Sequence, residues 1–124
     1  MSSDDLGTIG WRDLTVENAE QIRDFYSDVV GWQHSPVAMG DYDDFNMLAG
    51  NGETVAGICH ARGGNAGLPA QWLMYVTVAN LDDSLAQCET GGGSIVSGPH
   101  SMGDDRYCVI ADPAGACLAL YQKG

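Results

Sequence analysis

Leu14-Thr15-Val16-Glu17-Asn18 and Val76-Thr77-Val78-Ala79-Asn80 decide how this chain is read, and they lie 62 residues apart. Each is a short β-like run ending in Thr-Val-x-Asn. Each is followed by a helical pattern, a Gly-rich break and further β-like segments. A repeat of this length, present twice in 124 residues, predicts two copies of one supersecondary unit packed into one domain.

Working outward from the first copy, residues 9–16 read as a strand. Leu14 and Val16 fall on one face, and Trp11, Asp13 and Thr15 on the other. Asn18 predicts a helix N-cap with Gln21 as its capping-box partner. Ile22, Phe25, Tyr26, Val29 and Val30 follow the spacing of one helix face, and Gly31 is a natural stop. Strands are expected at 32–37, 45–48 and 54–61, with Asn51-Gly52 as a hairpin turn. Gly63-Gly64-Asn65-Ala66-Gly67 reads as a flexible linker. The second copy repeats the order: strand 72–78, then a helix capped by Asn80 with Leu81, Leu85 and Cys88 inward. Gly91-Gly92-Gly93 stops it, and strands follow at 94–97, 107–111 and 116–122, the last after an Asp112-Pro113-Ala114-Gly115 turn. The fold class is therefore α+β, two β-α-β-β-β units at 8–62 and 69–123 joined by a linker at 63–68 in a single domain.

The charge is lopsided, with 17 Asp and Glu against 5 Lys and Arg and a net charge of -12. Such a surface repels nucleic-acid phosphates and anionic lipid heads, so neither is expected as a partner. It serves solubility or, alternatively, a saline habitat in which salt screens the self-repulsion. No apolar run approaches the ~18 residues of a membrane span. Met1-Ser2-Ser3-Asp4-Asp5 does not resemble a signal peptide, so a cytoplasmic location is expected. Cys59, Cys88, Cys108 and Cys117 form no C-x-x-C pair and read as structural thiols. No phosphate loop or Gly-x-Ser-x-Gly elbow occurs.

Several local motifs, in order and at the right spacing, resemble the vicinal oxygen chelate superfamily of glyoxalases, bleomycin-resistance proteins and extradiol dioxygenases. Val16-x-Asn18 with Phe25-Tyr26 downstream is similar to that family's V-x-D and F-Y. Val30-Gly31-Trp32 resembles its first helix exit, Gly91-Gly92 the second, and Ala111-Asp112-Pro113-Ala114-Gly115 its D-P-x-G turn. The Trp11-Arg12-Asp13-Leu14 and Trp72-Leu73-Met74-Tyr75-Val76 runs look closest to an antigen- and hydroxylase-like branch. The resemblance spans residues 8–122 and implies half-barrels curling a mixed sheet around a cavity. It also implies metal ligands on the first and last strands of each unit. Carried over, those positions are Trp11, Leu73, Ala119 and, to within about one residue, Ala56. None of these side chains donates to Zn²⁺ or Fe²⁺. No cofactor is therefore expected. The alternative is a divalent metal (Zn, Ni, Mn or Fe) held off-pattern, by Asp13, Cys59 and His60.

With Leu14 and Val16 against the helix, the expected ligand-binding set is Trp11, Asp13, Ile58, His60, Leu73, Tyr75, Cys117, Ala119 and Tyr121. This is an apolar and aromatic lining with a few polar groups. Trp11 and Tyr75 would stack on a planar ligand. Asp13 has two readings: a catalytic acid or base helped by Tyr75 or Tyr121, or a structural carboxylate paired with Arg106 or backbone N–H groups. His60 reads as a satisfied or exposed histidine, His34 and His100 as solvated, and Trp32 and Trp72 as core or subunit contacts. The expected function is metal-free binding of a small apolar or aromatic molecule by a homodimer. The alternatives are a lyase, isomerase or dioxygenase, metal-dependent or metal-free, and an interaction module with a self-filled cavity.

Overall fold

The computed structural model describes residues 3–124. The chain forms two compact units. The first is Arg12–Trp72, and the second combines the segment ending at Trp11 with Leu73–Gly124. Among the described residues there are eight strands and two α-helices, in the β-α-β-β-β order of the repeat.

Strand β1 (Ile9–Val16) leads to α1 (Ala19–Val30), then β2 (Gln33–Ala38), β3 (Asp43–Leu48) and β4 (Thr54–His60). In the first unit the strand order is β2-β3-β4-β1, antiparallel except for the β4–β1 pair. Strand β5 (Trp72–Thr77) leads to α2 (Leu81–Thr90), β6 (Ser94–Met102), β7 (Asp105–Ala111) and β8 (Cys117–Gln122). The second unit orders them β5-β8-β7-β6, with β5 and β8 parallel. The N-terminal stretch joins this unit through Gly7 N–H to Thr77 O (2.8 Å) and Thr77 N–H to Thr8 O (3.0 Å).

The 62-residue offset is reproduced in the register. Asp13 lies opposite Gly57 and Thr15 opposite Cys59, while Tyr75 lies opposite Ala119 and Thr77 opposite Tyr121. Ala19 and Leu81, equivalent first residues of the two helices, are both fully buried. In the first unit the helix face carries Phe45, Met47, Ala56 and Ile58 packed with Ala19, with Val16, Ile22, Tyr26, Trp32 and Trp72 around them. In the second it carries Leu81, Leu85, Cys108 and Leu120, flanked by Val78, Ile110 and Leu118.

Several local expectations change. Asn18 does not cap α1 through a backbone N–H. Its side-chain amide donates instead to Gln21 Oε1 at 3.0 Å. Asn80 does cap α2, accepting from Asp83 N–H at 2.9 Å, and Gly31 ends α1 at φ +86°. The Gly-rich stretch after β4 contains a short 3-10 turn, Gly63–Asn65, and the compact first unit runs past it to Trp72. Strand β6 continues through Gly98-Pro99, where turn residues predicted an end. A register shift between Ser97 and His100 takes up the irregularity. No helix among the described residues is long and apolar enough to cross a membrane.

The register also makes a core prediction. Ile58 is fully buried against Ala19 and Phe45, so Ile58→Ala should cost about 2–5 kcal/mol in urea unfolding. Thr54→Ala, at the exposed start of the same strand, should cost less than about 0.5 kcal/mol. Equal, small effects would place Ile58 outside this cluster.

Candidate functional site

Side-chain parity separates the expected site residues. In the second unit Leu73, Tyr75, Cys117, Ala119 and Tyr121 share the face of β5 and β8 turned away from α2, since Tyr75 opposes Ala119 and Leu118 and Leu120 pack toward the helix. Leu73 and Ala119 are fully buried, and Tyr75 is nearly so. Strand β7 adds Tyr107, paired with Tyr121, and Val109, paired with Ala119. The Tyr75 ring lies 6.0 Å from Tyr107 and 6.5 Å from Tyr121, at interplanar angles of 55° and 67°. Three tyrosines therefore cluster on this face, Tyr75 opposite Ala119 and Tyr107 opposite Tyr121. Trp11 is half-buried at the end of the N-terminal stretch of this unit.

His100 and Asp105 extend this face. Strand β6 sets His100 opposite Tyr107, with ring centroids 5.1 Å apart. His100 Nε2 is 2.8 Å from Ser97 Oγ, so the ring is engaged and half-buried rather than solvated. At the rim, Tyr121 Oη donates to Asp105 Oδ2, and Gly124 N–H donates to Asp105 Oδ1 at 2.7 Å. Burial and this carboxylate push the Tyr121 phenol up to about 12. The Tyr121 and Gly124 hydrogen bonds hold Asp105 below the usual carboxylate range. Arg106 is engaged by Asp82, at 3.0 and 3.3 Å.

In the first unit the face away from α1 is polar. Asp13 opposes Gly57, and Thr15 opposes Cys59. Burial, then the nearby charges of Asp13 and Asp44, push the Cys59 thiol well above its ordinary range. A raised pKa favours the neutral thiol over the thiolate. Ile58 and His60 are not on this face. Ile58 pairs with Leu14 and His60 with Val16, which places both toward α1. The His60 ring ties three elements together: Nε2 is 2.5 Å from Glu20 Oε1 on α1, and Nδ1 is 3.1 Å from Asp44 Oδ1 on β3. A ring carrying both protons donates to both carboxylates.

The donor chemistry does not fit a metal at the positions the family resemblance indicates. Trp11 offers an indole N–H, Leu73 and Ala119 offer alkyl groups, and the register moves the fourth position from Ala56 to Gly57, the equivalent of Ala119. Among the described residues no group of three His, Cys, Asp or Glu side chains is placed to hold a metal ion. The off-pattern set of Asp13, Cys59 and His60 is divided between opposite faces of the first unit.

One apolar groove of about 240 Å³ opens on the other side of the first unit, along α1. Leu14 and Val16 form its floor, Ile22, Phe25 and Tyr26 one wall, and Ala70, Gln71 and Trp72 the other. Trp72 Nε1–H donates to Tyr26 Oη across it at 3.1 Å.

Comparison with known proteins places this architecture. The model of the Glyoxalase/Bleomycin resistance protein/Dioxygenase superfamily matches residues 8–120. The chain is 32% identical over 120 residues to the putative glyoxylase CFP32 of Mycobacterium bovis, covering 94% of this chain and 46% of that protein. It is 29% identical over 131 residues to the anthracycline biosynthesis protein DnrV of Streptomyces peucetius, covering 95% and 48%. The chain thus spans about half the length of these relatives. Among solved structures, a glyoxalase/bleomycin resistance protein/dioxygenase superfamily member from Vibrio splendidus shares the fold, with a TM-score of 0.60 at 12% identity over 91% of this chain and 97% of the other.

The Asp105–Tyr121 pair sets a pH signature. The native phenol keeps its proton to about 12, whereas an unfolded one loses it near ~10. Stability should therefore fall as pH rises through that interval. Asp105 acts in the opposite range: its contribution is present above the usual carboxylate pKa and is lost as pH falls through its lowered native value. Phenolate absorbance should show one of the five tyrosines ionising last, and Asp105→Asn should bring it down toward ~10. Titration unchanged in this variant would refute the coupling.

Proposed function

Because the chain belongs to the Glyoxalase/Bleomycin resistance protein/Dioxygenase superfamily yet lacks donors at the expected metal positions, we propose that it binds a small planar aromatic molecule without a metal ion. The tyrosine face of the second unit is the site. The observation that carries this reading is the clustering of Tyr75, Tyr107 and Tyr121 on one face of β5, β7 and β8. Tyrosine rings offer flat apolar area with a polar edge. The Tyr121 hydroxyl spends its proton on Asp105, so its oxygen lone pairs are left to accept from a ligand hydroxyl. DnrV, by its name a protein of anthracycline biosynthesis, supports a fused-ring aromatic as the ligand class.

A thermal-shift series with planar hydroxylated aromatics and aliphatic controls tests this. A ligand at about 100 times its Kd adds about 2.7 kcal/mol and should raise Tm by on the order of 10 °C. Tyr107→Leu should weaken binding about 3- to 10-fold. Zn²⁺, Ni²⁺, Mn²⁺ and Fe²⁺ should leave Tm unchanged. Stoichiometric metal in the purified protein, or no shift with any aromatic, would refute the proposal.

A second reading, a metal-free enzyme using Asp13 as acid or base, draws on one observation. Asp13 lies opposite Gly57 on the face away from α1, and its Oδ1 is buried. On this reading, Asp13→Asn abolishes turnover while the melting transition is retained. Turnover that survives the substitution removes Asp13 from any such role.

A further inference from the structure

The face of the second unit that turns away from α2 is ordered in rows across its strands. Register sets Thr77, Tyr121, Tyr107 and His100 side by side on β5, β8, β7 and β6. It sets Tyr75, Ala119, Val109 and Ser97 side by side in the next row. Ala119 and Val109, fully buried in the middle of that row, carry only a methyl and an isopropyl group. In the first row Tyr121, Tyr107 and His100 are half-buried, so part of each ring reaches the surface. Small side chains in one row thus lie beside rings in the other.

His100 ends the aromatic row at β6. Its ring lies 5.1 Å from that of Tyr107 at an interplanar angle of 38°, and its Nε2 is 2.8 Å from Ser97 Oγ. The imidazole is therefore held from both rows, in its plane by Tyr107 and at one nitrogen by Ser97. Nδ1 is the nitrogen left to meet a ligand. Towards the other end of the row stands the Tyr121 oxygen, whose proton goes to Asp105. Polar groups thus bracket an aromatic stretch. Neighbouring strands lie about 4.8 Å apart, so Tyr121 on β8 and His100 on β6 stand about 10 Å apart across β7.

We propose that His100, held by Ser97, is a second polar anchor of the tyrosine face. The ligand it selects is an uncharged aromatic of at least two fused rings, with a hydroxyl at each end of its long axis. This rests on the aromatic-binding reading above and adds to it a length and a second contact. A single ring is too short to reach both ends of the row. A hydroxyl is the group that suits both ends. It donates to the Tyr121 oxygen, whose own proton is committed. It also suits Nδ1 in either neutral tautomer, because it accepts from Nδ1–H and donates to a bare Nδ1. The hydrogen bond with Ser97 sets which tautomer is present.

Fluorescence titration of the full chain with two dihydroxynaphthalenes tests this. One isomer has its hydroxyls at opposite ends of the long axis, and the other has both at one end. The isomers share ring area and hydroxyl count, so the difference between them reads the second anchor. The opposite-end isomer should bind about 3- to 10-fold tighter, the worth of one hydrogen bond. His100→Phe keeps a ring beside Tyr107 but removes the nitrogen, and should abolish the preference. Ser97→Ala should reduce it independently, by releasing the imidazole. Ile95→Ala, at an exposed residue of the same strand, should leave it intact. Equal affinities for the two isomers overturn the anchor and leave the tyrosine face standing as the site. So does a preference that survives His100→Phe or that Ser97→Ala leaves unchanged. Binding of neither isomer overturns the aromatic-binding reading together with the anchor.

Discussion

The parallel pairing of the first and last strand in each unit is the constraint from which the rest follows. A parallel pair cannot be closed by a hairpin, so the chain must leave β1, cross by α1, and return through β2 and β3 before β4 can join it. The same holds for β5 and β8. Once Asp13 is set opposite Gly57 and Tyr75 opposite Ala119, the two-residue period of a strand assigns every other side chain to the helix face or to its opposite. A slip of one residue would exchange Ile58 for Gly57 against Ala19 and leave the first core without a central side chain.

On this shared frame the two units have diverged in chemistry. The face away from α1 holds Asp13, Thr15 and Cys59, with Gly57 at the closing strand. The equivalent positions in the second unit, 62 residues on, are Tyr75, Thr77, Tyr121 and Ala119. One unit thus carries a carboxylate opposite a glycine, and the other a tyrosine opposite an alanine. Only the threonines are retained, both buried, which marks them as parts of the frame rather than of the difference. Neither unit has a metal donor at the strand positions that the family resemblance indicates. On the proposed reading, the chemistry of this chain lies in the tyrosines of its second unit.

The element order, the two helices and the repeat were legible because each left a local signal: Asn80 as a cap, Gly31 and Gly91 as stops, apolar residues at helical spacing. The parity of β4 was not. Ala56, Gly57 and Ile58 are all buried, so the strand has no alternation of polar and apolar residues from which a face could be read. The sequence reading therefore turned Ile58 and His60 to the wrong side. The engagement of His100 was hidden for a different reason. Gly98-Pro99 reads as a strand end, and only the register shift after Ser97 keeps His100 in β6 beside Tyr107. In place of the expected capping box, the Asn18 amide donates to the Gln21 side-chain oxygen.

Charge bears on the proposed ligand as well as on the surface. A protein of net charge -12 disfavours anions at any distance that salt leaves unscreened. At the tyrosine face the same preference acts locally, because Asp105 stays ionised beside Tyr121. A carboxylate or phosphate group brought to that rim would meet a fixed negative charge and a hydroxyl whose proton is already committed. A neutral phenol or alcohol would instead find an acceptor in the Tyr121 oxygen and flat apolar area in the neighbouring rings. Long-range field and local hydrogen bonding therefore favour the same kind of molecule: uncharged, planar, and carrying hydroxyl groups at its edge.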